Sequence, residues 1–89
     1  MHNPIVAIAR IDSPSDMLYR YPADSIYTRQ RGETVDYIAS MMIGAYSGIM
    51  LYRESVRDTV TVLSHGVMIV CKDNIVREKL ITRILEGEK

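Results

Sequence analysis

Hydrophobic and polar positions alternate at different periods along the chain, and the periods divide it into elements. Ile5-Val6-Ala7-Ile8-Ala9-Arg10-Ile11 is rich in β-branched residues and partly alternating, the pattern of a strand. Asp12-Ser13-Pro14-Ser15-Asp16 has the composition of a loop, and Met17–Tyr21 reads as a short strand. Pro22-Ala23-Asp24 resembles a helix start, with proline in the first turn and an acid beside it. A short helix from there would run to about Gln30 and close before Gly32.

The next pattern is stronger. Val35, Ile38, Met42, Ala45 and Ile49 recur at spacings of three and four, and Glu33 and Asp36 would complement the dipole of a helix over about 33–47. Ser47-Gly48 can end that helix and leave Ile49–Arg53 as a strand, which is the preferred reading. The same spacing also runs on through Tyr52 and Val56, which would give one long helix to about Arg57.

Residues 59–72 read as a β-hairpin. Thr59-Val60-Thr61-Val62-Leu63 alternates, Ser64-His65-Gly66 supplies a turn, and Val67–Cys71 is apolar throughout. Asp73 or Asn74 can cap a final helix over about 74–86, whose stripe is Ile75, Val76, Leu80, Ile84 and Leu85. The expected fold is α+β in a single domain spanning 1–89. It has a small antiparallel sheet of three to four strands, the hairpin included, with the two main helices packed on one face.

Composition narrows the function classes. The chain has 89 residues, 47% of them hydrophobic, and 11 basic residues balance 11 acidic ones. That is not the composition of a disordered tail, and it lacks the net positive charge of a general nucleic-acid binder. So small a chain has a thin core of its own, and without disulfides such domains often gain stability by associating. The lone Cys71 suits a reducing compartment, and Met1-His2-Asn3-Pro4 opens no signal-peptide pattern, so the expected location is cytoplasmic. The 16 residues Tyr37–Tyr52 carry no charge, but they fall short of the ~20 that a spanning helix needs. No membrane span is expected.

Candidate chemistry is sparse. The spacings of catalytic nucleophile motifs are absent, His2 and His65 are far apart, and no pair of ligands has metal-site spacing; no catalytic residue, metal or cofactor is expected. Two features stand out. Residues 17–31 hold Tyr19, Arg20, Tyr21, Tyr27, Arg29 and Arg31 against one acid, Asp24. Arginine forks and tyrosine rings suit a protein interface or a nucleotide or other phosphorylated ligand. Ser40, Gly44 and Gly48 recur every four residues, a small-residue ridge for self-association if the helix runs that far. The expected function is a small non-enzymatic binding or regulatory protein that contacts a protein partner or itself, as a homo-oligomer. The alternative is a binder of a nucleotide or phosphorylated ligand through residues 17–31.

Overall fold

The computed structural model describes residues 3–55, 62–63 and 65–87, the side chains of 62–63 excepted. It is α+β: β1 (Ile5–Ile11), α1 (Pro14–Arg20), β2 (Ser25–Arg31), β3 (Thr34–Ile43), β4 (Tyr46–Ser55), β5 (Val62–Leu63), β6 (Gly66–Cys71) and α2 (Asn74–Glu86). The sheet is antiparallel in the order β1-β6-β4-β3-β2, with the two-residue β5 pairing β4 beyond the end of β6. Five strands in that order, with the two-residue β5 beside them, replace the expected three to four.

The centre of the sheet is the β3–β4 hairpin, paired without interruption from Thr34↔Ser55 to Ile43↔Tyr46. Gly44 opens its two-residue loop at φ +62, and Gly32 opens the β2–β3 loop at the same angle. Glycine with positive φ at the first loop position is what a type II′ hairpin turn requires. The segment expected to be a helix over 33–47 is therefore a strand, a turn and the start of the next strand. The apparent 3–4 spacing took residues from both sides of the sheet. Ile38 and Met42 alternate onto one face and Val35 onto the other. Ile38, Ala39, Ser40 and Met41 are buried in succession, as in a strand covered on both faces, and such a strand has no readable period.

Other expectations shift for related reasons. Met17–Tyr21 lies largely within α1, whose first turn holds Pro14, and the expected helix from Pro22 to Gln30 is mostly β2. The 59–72 hairpin does not form among the described residues, although Thr59–Thr61 and Ser64 lie outside them. β5 and β6 run in one direction along β4, with a one-residue shift of register between Leu63↔Glu54 and Val67↔Leu51. The strand Ile5–Ile11 and the closing helix Asn74–Glu86 stand as expected, and Asp73 caps the helix by accepting from the Val76 N–H at 2.9 Å.

The two helices lie on opposite faces, not on one. On the α1 face, Met41, Met50 and Met68 surround Ala39 and Tyr52, with Met17, Leu18 and Tyr21 packed over them. On the α2 face, Ile38, Ile49 and Cys71 meet Ile81, flanked by Val76, Leu80, Ile84 and Leu85. Each fully buried aliphatic side chain contributes about 1.5–3 kcal/mol relative to exposure. Among the described residues no helix is long and apolar enough to cross a membrane, and the uncharged run Tyr37–Tyr52 forms the inner arms of the hairpin.

Ile49 is fully buried between the sheet and α2. Ile49→Ala should cost about 2–5 kcal/mol in urea unfolding. Ile75→Ala, on the exposed side of α2, should change stability by no more than about 0.5 kcal/mol. Equal losses at the two positions would contradict this placement of the core.

Candidate functional site

A cluster of charged side chains lies on the α2 face of the sheet, at the end away from the Gly44 turn. Pairing register puts Arg29 on β2 opposite Asp36 on β3, and Asp36 opposite Arg53 on β4. The result is a row of three charges across three adjacent strands. Arg29 Nη2 donates to Asp36 Oδ2 at 3.2 Å, and Arg53 Nε donates to Asp36 Oδ1 at 2.6 Å. Arg31, diagonal to Asp36, brings Nε to within 3.5 Å of Oδ2. Three guanidinium groups thus converge on one carboxylate.

Asp36 is mostly shielded, with its side chain 14% exposed. Burial alone would raise its pKa. The hydrogen bonds from Arg53 and Arg29, with the charges of Arg53 and Arg31, outweigh burial and hold the carboxyl below its ordinary value. Arg29 also reaches α2, where its Nη1 donates at 3.1 Å to the Ile84 carbonyl in the last helical turn. A cation beside a carbonyl of the last turn complements the negative end of the helix dipole. The Arg29 Nε is buried and has no acceptor among the described residues.

Beside this row lies a cleft of about 280 Å³, lined among others by Arg29, Asp36, Arg53 and His65, with Leu51 and Ile84 as apolar wall. The cleft thus sets two guanidinium groups, a carboxylate and an imidazole next to a small apolar surface. On the opposite face Tyr37 and Tyr52 stack, ring centroids 5.0 Å apart and nearly parallel, and the Tyr37 hydroxyl donates to Glu54 at 3.1 Å. Burial, first of all, pushes both phenols above their usual pKa. Burial also pushes the Cys71 thiol up, away from the thiolate that reactivity requires.

The residues singled out within 17–31 are placed at separate points of the fold. Tyr19 and Arg20 lie exposed on α1, and Tyr21 packs against the α1-face core. Tyr27 packs into the α2-face core, and only Arg29 and Arg31 reach the charged row. Ser40, Gly44 and Gly48 do not share a ridge, because the helix that would align them does not exist. Ser40 is buried toward α2 and Gly44 sits in the turn. Gly48 lies toward α1, where a Cβ would come within 2.5 Å of the Ile43 side chain. The sequence reading missed Asp36 and Arg53 as partners, although a signal existed. They bound the uncharged run and are equidistant from Gly44-Ala45, as two residues paired across a hairpin must be.

A carboxylate held below its unfolded pKa adds stability above that unfolded value, and the contribution disappears as pH falls through the folded value. Asp36→Asn should therefore cost about 1–3 kcal/mol near neutral pH. The gap to the parent should close as pH drops below about 4. Chemical unfolding of both proteins across that range checks it. A gap that stayed constant would show that the charge of Asp36 does not hold the row together. The chain matches no protein-family model, no curated protein and no solved structure, so its functional reading rests on its own residues.

Proposed function

We propose that the chain is a small non-enzymatic binding protein that acts through protein–protein contacts as a homo-oligomer, with its copies joined along β1. The observation that carries this reading is the state of the β1 edge. β1 forms one border of the sheet, five of its seven residues are exposed, and these include Val6 (47%) and Ile8 (66%).

An edge strand presents a row of backbone N–H and C=O groups on its outer side, which another strand can pair. Natural edges are usually blunted by charge, proline or bulges. Here the only charge within the strand is Arg10, and the irregularity of pairing falls at its start, between Ile5 and Ala7. A second copy is the occupant that fits. A two-fold interface must be self-complementary, and Ile8 is the middle residue of the seven. Antiparallel pairing centred there sets Ile8 against its own copy and Val6 opposite Arg10 of the partner subunit, whose methylene stem covers an apolar neighbour. Next to β1, on the face shared by Ile8 and Arg10, Val67 is also exposed and widens the apolar strip. The thin core of so short a chain favours the same conclusion.

Sedimentation at micromolar concentration should give a dimer mass for the parent chain. Ile8→Lys, which places two like charges at the two-fold axis, should give a monomer with an unchanged circular dichroism spectrum. A monomeric parent, or an Ile8→Lys variant as dimeric as the parent, would refute the β1 interface.

A further inference from the structure

Beyond self-association, we infer that Met42 is a modification site, where a peroxide oxidises the thioether to the sulfoxide, and that the sulfoxide acts on the start of α2 through Ser47. Three observations carry it. The first is exposure. Met42 is 45% exposed near the end of β3, whereas Met41, its neighbour in the chain, is fully buried on the opposite face, and Met50 and Met68 are buried with it. Met17 is half-buried, so Met42 is the one exposed methionine among the described residues. The second is a hydrogen bond to the reacting atom. Register sets Met42 opposite Ser47, and the Ser47 hydroxyl donates to Met42 Sδ at 3.8 Å. The third is the other partner of that hydroxyl, the side chain of Asn74, which is the first residue of α2.

The chemistry starts at the sulfur lone pair, which must meet the oxidant, so access decides which methionine reacts. With hydrogen peroxide, sulfur attacks one peroxide oxygen, and the S–O bond forms as the O–O bond breaks. The hydroxide released takes the proton from the transferred oxygen and departs as water. Sulfur loses two electrons and the peroxide gains them. A thioether is a weak acceptor, and a hydroxyl has one hydrogen to give. In the reduced chain the Asn74 carboxamide oxygen therefore holds the Ser47 hydrogen more firmly than Met42 does. Oxidation turns a flexible apolar side chain into a polar one. The sulfoxide oxygen then draws the Ser47 hydrogen away from Asn74. Ser47 is buried, so bulk water does not replace the lost contact from its side. The consequence falls on the first turn of α2. There the Val76 N–H bonds the Asp73 carboxylate and the Arg77 N–H bonds the Asp73 carbonyl. Releasing Asn74 loosens this turn, while Ile81 still holds the middle of the helix against the sheet.

The test is limited oxidation of the intact chain with hydrogen peroxide, read by peptide mass spectrometry and by amide hydrogen exchange. Met42 should gain oxygen about tenfold faster than Met41, Met50 and Met68, as an exposed sulfur does against buried ones. Oxidation should speed exchange at the Val76 and Arg77 amides by about threefold or more and leave it unchanged at Leu85, in the last turn. Met42→Leu, a volume-conserving change on an exposed side chain, should fold as the parent does and lose the response. Ser47→Ala should still be oxidised at Met42, but exchange at Val76 and Arg77 should no longer follow. Asn74→Ala, on an exposed side chain, takes its place should Ser47→Ala fail to fold. The inference is overturned if Met42 is oxidised no faster than Met41, or if exchange in the first turn of α2 ignores oxidation. It is overturned equally if Met42→Leu, or the variant lacking the Ser47 or Asn74 side chain, responds to peroxide as the parent does.

Discussion

A slip of one residue in the pairing of β3 with β4 would turn one of the two strands over, so that Ile38 and Ile49 could no longer both face α2. It would also part Asp36 from Arg53 and Tyr37 from Tyr52, two pairs that lie directly opposite in the native register. The two-residue loop led by Gly44 at φ +62 fixes that register, since loop length and turn type together determine which residues face each other. The β2–β3 loop led by Gly32 repeats the device and brings Arg29 opposite Asp36. The charged row is thus a consequence of two tight turns.

The same register decides how the helices attach. α2 starts near the Gly44 end of the hairpin, where the buried Ser47 hydroxyl bonds the Asn74 side chain, and it finishes over Arg29, whose guanidinium takes the Ile84 carbonyl. Both ends of the helix are therefore tied to the sheet by polar contacts, while Ile81 holds its middle against Ile38 and Ile49. Arg29 belongs at once to the charged row and to the helix end. A change in charge around Asp36 is accordingly felt at the last turn of α2, which links the cleft to the packing of the fold.

The outer elements were legible in the sequence and the central ones were not. Ile5–Ile11 reads as a strand because its β-branched residues end at a polar loop, and Asn74–Glu86 reads as a helix because Asp73 caps an amphipathic stripe with one wet side. The hairpin Thr34–Ser55 defeats periodicity because helices cover both of its faces, so apolar residues fall at nearly every position between Tyr37 and Tyr52. Any period can be found in such a run, a helical one included. Gly32 read as a helix end and Gly44 as part of a small-residue ridge within a helix, because nothing local distinguishes these settings from a hairpin turn. For the site, Arg29 and Arg31 were visible as part of a basic segment. Asp36 and Arg53 were not, because their partnership depends on folding the chain back at Gly44-Ala45. The symmetry of the uncharged run about that pair was the one clue to it.

The cleft and the exposed β1 edge have a common origin in the coverage of the sheet. Five strands place their outer axes about 19 Å apart. One helix of 13 residues is about 20 Å long and about 10 Å wide with its side chains, and so covers only a band. α2 lies along a diagonal, from the Ser47 and Cys71 end of the central strands to Arg29 on β2. What α2 leaves uncovered among the described residues is the corner of β4, β6 and β1 from Leu51 onward, which holds Arg53, His65, Val67 and Arg10, with Ile8 beside it on β1. Toward β2 the opening is charged and concave, and toward β1 it is apolar and ends in an edge. α1 packs on the opposite face instead, over the methionine cluster, so among the described residues each face of the sheet is covered by one helix alone.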